Sequence, residues 1–275
     1  MFAKMKTKKV YIYLVLFLFT IFFVLPMYVL LITSFKSFAE VSVKTMWDLP
    51  KSFSLNGFIT ALNKLAPNLL NSFYLVIPAT LISAMLGSIN GYVLSHWKFK
   101  GADTLFAVLL FGMFIPYQSI LFPLVRFLQS IGLYGSIPGL ILVHVVYGIP
   151  ITTLMFRNYY TEVPKALTEA AKVDGANILS IYRYIFFPIS IPSFVVVFIW
   201  QFTNIWNEFL FAVTVTSRPE NQPITVALTN LAGSQVVEWN VQMSGAIITA
   251  LPTLLVYIIF GKYFIEGLLA GSVKG

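Results

Sequence analysis

Six long apolar runs separated by short polar stretches dominate the chain. They cover residues 10–35, 69–95, 104–125, 137–156, 189–214 and 243–263. Roughly 20 apolar residues carry a helix across a bilayer, and each run meets that length. Backbone amides in lipid must be satisfied within their own element, so each run predicts a helix. The ten-residue alternation of a transmembrane β-strand is absent from the sequence. The expected architecture is therefore all-α: a polytopic membrane protein with six transmembrane helices, forming a single domain over residues 1–275. Tyr11 to Phe35 contains no charge and exceeds the apolar core of a cleaved signal peptide, so it is expected to stay as the first span.

An even number of spans puts both termini on one side. About twice as many lysines and arginines fall on that side, Lys98 and Lys274 among them, as on the other. The positive-inside rule makes it the cytoplasmic side of a plasma (inner) membrane. Two connections stand out by length. The outer one, residues 36–68, contains the amphipathic "SLNGFITALNKL". The inner one runs from Arg157 to Pro188.

The inner connection reads as a built object. In "EVPKALTEAAKV", Glu162 and Pro164 suit a helix start. Ala166, Leu167, Ala170, Ala171 and Val173 form a shallow apolar face at helical spacing, with Lys165, Thr168, Glu169 and Lys172 on the other side. Asp174-Gly175 ends that helix, because Gly175 is free to take positive φ. Asn177 then caps a second helix reaching toward Phe187, and Pro188 and Pro192 bracket the entry to the fifth span. A short helix, a bend and a rigid lead into a span suit the transmission of force. Lipid headgroups and a protein partner are both candidate occupants of the alanine face. Its shallowness favours the protein, since helices that lie on lipid carry bulky apolar residues.

Composition narrows the function. Charged residues make up 10% of the chain and hydrophobic residues 58%, against about 25% charged in soluble domains. The net charge of +8 is read as topology and lipid contact, with no nucleic-acid partner. Cysteine is absent, and the only histidines are His96 and His144, so a metal cluster is not expected. No phosphate-binding loop, nucleophile–base set or dinucleotide glycine pattern occurs. The chain is expected to be no enzyme, to carry no cofactor, and to draw any ATP-derived energy from a partner.

Polar residues inside spans are the remaining candidates. Glu208, in "FTNIWNEFLFAV", is the only acidic residue within a predicted span. Such a charge must face a polar interior or pair. With Asn204, Trp206 and Asn207 it offers a carboxylate, amides and a ring, the chemistry that holds sugars. A translocation-path role and a structural role at the end of the fifth span both fit. Gln118, between Pro116 and Pro123, either meets the pore at a broken helix or sits in a plain kink. His144 reads as a hydrogen-bonded packing residue or a proton relay. Gly87 and Gly91 form a small-xxx-small contact surface.

"EAAKVDGANILSIYRYIFFP" resembles the EAA loop of ABC importer permeases. Glu169, Ala170, Ala171, Gly175, Ile185 and Pro188 match the pattern, Phe187 replaces its usual leucine, and Asp174 belongs to a "DGA" found in the sugar-importing branch. The similarity extends from "TSFKS" after the first span to "GLLAGSVKG" at the end. "YGSIPGLILVHVVYGIPITTLMFRNYY" and "GSQVVEWNVQMSGAIITALPTLLVY" resemble the glucose/mannose-type branch. The resemblance implies the type I ABC importer permease fold. It also implies a second permease subunit, two cytoplasmic ATPase subunits that bind ATP and magnesium, and an extracytoplasmic sugar-binding protein. By the same resemblance Glu169 to Gly175 dock on the ATPase, and alternating access moves the sugar inward. The rival expectation is an ion-coupled secondary transporter of small polar solutes, for which only Glu208 and His144 could serve as a relay.

Overall fold

The computed structural model describes residues 2–97, 99–233 and 237–270. Lys98 and Lys274, part of the orientation reading, lie outside them, as do parts of "GSQVVEWN" and "GLLAGSVKG". Among the described residues every regular element is helical. Among the described residues four helices are long and apolar enough to span a bilayer, and two bent pairs bring the number to six if each pair is one span. The helices group into two compact units, Met1–Ala66 with Leu228–Leu251 and Pro67–Ala227 with Pro252–Gly275.

The first unit begins with α1 (Phe2–Ser34). Most of its surface from Lys9 to Ser34 is exposed within this chain. A loop of short 3₁₀ turns follows, held by side chains. The buried Lys36 donates from Nζ to the Thr45 carbonyl at 2.6 Å. Glu40 accepts from the Lys51 amide at 2.9 Å and from the Ser52 and Ser37 hydroxyls. The Lys51 amide is the largest influence holding the Glu40 carboxyl below its usual range.

α2 (Asn56–His96) corrects one expectation. The amphipathic outer stretch and the second span are a single helix of 41 residues, roughly 60 Å long. Pro67 and Pro78 sit inside it without ending it. Extending an existing helix fixes one residue per hydrogen bond, whereas a new one needs a costly nucleus.

α3 (Ala102–Phe111) and α4 (Leu121–Ser130) make up the third run. The expected single span over 104–125 is bent by 89°. Ile115 is extended at the break, as expected of a residue that precedes proline. α5 (Ile137–Thr161) starts at Ser136, whose hydroxyl accepts from the Gly139 amide at 3.2 Å, and runs past the expected end at Phe156. It crosses α2 at the two glycines. A Cβ on Gly87 would overlap Thr152, and one on Gly91 would lie 2.7 Å from the Arg157 nitrogen. Thr152 secures the crossing by donating to the Ser83 carbonyl at 2.9 Å.

α6 (Lys165–Val173), α7 (Ile178–Ile181), a π-helical turn over Tyr182–Phe186 and α8 (Phe187–Ile189) build the inner connection. α9 (Ile191–Asn207) and α10 (Leu210–Val215) form the fifth run. The expected continuous helix over 189–214 is interrupted at Glu208, which is extended with ψ 130°. α11 (Ile224–Ala232) and α12 (Trp239–Ala270) are the last elements among the described residues.

Candidate functional site

The inner connection follows the grammar of its sequence closely. Asp174 closes α6, and Gly175 turns the chain with φ +80°. The Gly175 amide reaches the Lys172 carbonyl at 3.1 Å and the Ala176 amide reaches the Ala171 carbonyl at 2.9 Å. These are the paired hydrogen bonds of a Schellman C-cap. Asn177 caps α7 through the Ser180 amide at 2.9 Å.

Its faces differ from expectation. Thr168, assigned to the polar side, is the buried residue of α6. Its hydroxyl meets His96 Nδ1 at 3.2 Å, and His96 Nε2 meets the Tyr160 carbonyl at 2.8 Å. One tautomer satisfies both contacts: Nε2–H donates to Tyr160, and Nδ1 accepts from Thr168. A hydroxyl that finds a buried partner outweighs its neighbours' apolarity in deciding which face turns inward. Ala171 and Ile185 pack against the aromatic core of Tyr92, Phe156, Tyr160, Tyr182 and Phe186. Glu169, Ala170, Asp174, Gly175 and Pro188 face outward. So do Val173, 88% exposed, and Leu179, 69% exposed. The motif residues thus divide into a set that grips the body and a set that is presented.

The grip is a directed chain of hydroxyls. Tyr182 donates to Ser88 at 3.0 Å, Ser88 meets Tyr160 at 2.6 Å, Tyr160 donates to Ser190 at 2.9 Å, and Ser190 donates to the Phe187 carbonyl at 3.0 Å. Each hydroxyl in the middle of the chain gives one hydrogen bond and takes one, an arrangement in which neighbours polarise one another. Tyr92 adds a bond to the Ile178 carbonyl at 3.1 Å, and Lys172 lies 4.1 Å over the Trp97 ring. The lead into the fifth span is bent. Residues 178–189 meet α9 at 74°, because Pro192 starts a new helix beyond Ser190. α6 is tied sideways to α2 and α5, through Thr168, His96 and Tyr160.

At the far end of α5 and α9 lies a cavity of about 260 Å³. α5 contributes His144, Tyr147, Gly148 and Ile151, α9 contributes Trp200, Gln201, Asn204 and Ile205, and Tyr117, Glu208 and Phe211 complete it. Glu208 helps to hold the fold, since its carboxylate accepts from the Phe211 amide at 2.8 Å and the Ala212 amide at 3.2 Å, at the start of α10. A carboxylate there complements the helix dipole and satisfies otherwise orphaned amides. Glu208 also lines the cavity. His144 Nε2 lies 3.8 Å from Glu208 Oε2, and this buried nitrogen has no hydrogen-bond partner.

The other path candidates separate. Asn204 lines the cavity with its amide nitrogen returned to the Trp200 carbonyl at 2.7 Å. Asn207 is outside the lining and bonds the Thr203 carbonyl at 3.0 Å. Trp206 is not in the cavity: it is 2% exposed, with Phe73 at 5.1 Å and Phe202 stacked at 5.6 Å. Two positions along a helix turn a side chain by about 200°, so residues 204 and 206 cannot share a face. Gln118 is exposed just after the Pro116 bend, and its neighbour Tyr117 lines the cavity instead. Tyr147 and Gln201 were not singled out in the sequence, although Gln201, Asn204 and Glu208 at i, i+3 and i+7 carried the signal.

Long apolar helices, a side chain-clamped segment at one end and a mostly apolar cavity with a few polar groups at the other mark a polytopic membrane protein. The chain belongs to the family of binding-protein-dependent transport system inner membrane components, whose model matches residues 83–268. It is 57% identical to a probable ABC transporter permease protein of Pyrococcus horikoshii over 171 residues, 62% of each chain. It is 36% identical to the xylose/arabinose import permease protein XacI of Haloferax volcanii, covering 90% of this chain and 87% of that one. It is 31% identical to the glucose import system permease protein GlcU of Saccharolobus solfataricus, covering 96% and 95%. Its fold matches a chain of a bacterial ABC transporter involved in import of the acidic polysaccharide alginate, with TM-score 0.82, 19% identity, and 94% and 97% covered.

Proposed function

We propose that this chain is a permease subunit of an ATP-driven sugar importer that takes a monosaccharide, of the glucose/mannose type by sequence resemblance. The observation that carries the reading is the divided inner connection. Its Thr168–His96–Tyr160 side is fixed to the body, while Glu169, Ala170, Val173 and Leu179 face outward. A segment clamped on one side and bare on the other transmits force from whatever docks on it. The docking partner is a pair of cytoplasmic ATPase subunits, which bind ATP and magnesium. A second permease completes the pore, an extracytoplasmic binding protein delivers the sugar, and both termini lie in the cytoplasm. ATP binding closes the ATPases and draws the docked segments together. The spans move with them and open the path outward, and hydrolysis returns them. Relatives named for xylose/arabinose and glucose import support a monosaccharide.

The complex, purified with its ATPase, second permease and binding protein in proteoliposomes, provides the test. D-glucose or D-mannose with the binding protein should stimulate ATP hydrolysis. Gly175→Val strains the positive-φ turn. It should abolish that stimulation while the protein still inserts in the membrane. Normal stimulation in this variant would refute the docking role. The structure does bring His144 and Glu208 together, so the rival has one point in its favour. Uptake by this chain alone, driven by a proton gradient without ATP, would replace the proposal with the ion-coupled reading.

A further inference from the structure

The loop after α1 folds back along the helix it leaves. Tyr28 donates from its hydroxyl to the Trp47 carbonyl at 3.0 Å. Lys36 Nζ holds the Thr45 carbonyl, and the Thr45 hydroxyl in turn donates to the Glu40 carbonyl at 2.7 Å. Val43 and Met46 line a cavity of about 310 Å³ together with Val29 and Thr33 of α1. The segment from Val43 to Leu49 is thus fixed beside the last two turns of α1. Its tips are nonetheless apolar and bare: Val43 is 86% exposed, and Trp47 and Leu49 are exposed as well. Lys44 and Asp48 are its charged residues, both exposed.

The length of α1 sets the depth of this segment. Lys9–Ser34 has 26 residues, about 39 Å of helix, against a hydrocarbon core of about 30 Å. Centred on that core, the helix leaves about 4–5 Å over at each end. Tyr28 lies nearly two turns before Ser34, about 9 Å back along the axis, so its hydroxyl bonds Trp47 near the boundary between acyl chains and headgroups. Tyrosine and tryptophan collect at that boundary. α1 itself is bare over most of its surface from Lys9 to Ser34, and the exposed side chains of the segment continue that bare surface. We infer that Val43–Leu49 is an interfacial anchor, in which Trp47 and Leu49 lie among the outermost acyl-chain carbons of phospholipids and Lys44 reaches their phosphates. A lysine stem stays on apolar surface while its ammonium rises to the headgroups. Asp48, beside Trp47, keeps the anchor from sinking deeper, since a carboxylate in hydrocarbon is costly. A soluble partner approaches from the water beyond the end of α1, and a segment tied back below that end is poorly offered to it.

The chain has no cysteine, so Leu49→Cys gives it a single labelling site. A nitroxide is attached there in the purified complex, in nanodiscs of phosphatidylcholine and phosphatidylglycerol. The wild-type complex is labelled in parallel, to subtract cysteines of the partner chains. Electron paramagnetic resonance then compares collision with oxygen, which concentrates in lipid, and collision with a water-soluble nickel chelate. Oxygen should exceed the chelate severalfold at Leu49→Cys, and Val43→Cys repeats the measurement if the first variant does not assemble. A second readout uses Trp47 itself: nanodiscs of brominated phosphatidylcholine should quench less fluorescence in Trp47→Phe than in wild type. Predominance of the chelate would place the segment in water, and exclusion of both reagents would place it under another protein chain; either result overturns the anchor. Protection from the chelate that begins only when the binding protein is added would also overturn it, and would make the loop a docking surface for that protein.

Discussion

α5 and α9 are finished differently at their two ends. Around Tyr160 and Ser190, hydroxyls form an unbroken donor–acceptor chain, and His96 has both ring nitrogens engaged. Around His144 and Glu208, a buried ring nitrogen is left without a partner and the helix stops for an extended residue. Both ends place a histidine beside aromatic rings, His96 against Phe186 at 4.5 Å and His144 against Phe211 at 5.9 Å. The satisfied end holds one geometry, because each hydroxyl in it is fixed by two partners. The unsatisfied end leaves a buried imidazole nitrogen without a hydrogen bond.

The largest effect should come from breaking the frame that both ends share. Gly91 meets Arg157 and Phe156 so closely that a Cβ would lie 2.7 Å from a backbone nitrogen and 2.8 Å from Phe156 Cβ. Gly91→Val must separate α2 from α5, and backbone cannot yield as a flexible side chain does. A loss of about 3 kcal/mol or more is expected, read as little folded protein in the detergent-solubilised membrane fraction. Recovery of wild-type amounts with an unchanged melting temperature would show that the crossing is looser than the structure has it.

The next effect tests the contrast itself. Tyr160→Phe removes one hydroxyl from the satisfied chain and leaves the Ser88 donor and the Ser190 acceptor without it. Buried groups that lose a partner cost about 1–3 kcal/mol, so the melting temperature should fall. His144→Phe removes a nitrogen that has no partner to lose and keeps a ring against Phe211. Its melting temperature should hold or rise. Equal losses in the two variants would mean that His144 is satisfied and that the ends do not differ in this respect.

The sequence carried these two ends unequally. The inner connection was legible nearly residue by residue, because Asp174, Gly175 and Asn177 act through the backbone next to them. Capping is local, and local chemistry survives in one dimension. Which way α6 faces was not legible, since Thr168 turns inward for His96, a residue 72 positions away. The cavity was legible in part. Glu208 and Asn204 stood out as polar residues in an apolar run, but reading along the chain joined them to Trp206 and Asn207, when their neighbours are one helical turn away at Gln201 and across on α5. The break at Glu208 hid because apolar residues continue beyond it, so hydropathy runs on where the helix does not. Pro116, by contrast, announced its bend through the conformation that proline imposes on the residue before it.

The smallest effect on stability should come from the presented face, and it separates gripping from docking. Val173 is 88% exposed at the last position of α6. Val173→Lys removes no buried contact and places a positive charge where the helix dipole favours one. Its stability should stay within about 0.5 kcal/mol of wild type, as for surface changes generally, with the melting temperature as the readout. If the outward face is where the ATPase seats, the same change should still sharply reduce co-purification of the ATPase subunits. A side chain that is nothing to the fold and decisive for assembly is what a docking surface means in physical terms. Undiminished co-purification with Val173→Lys would move the docking surface elsewhere on the inner connection and leave the hydroxyl chain as a purely structural clamp.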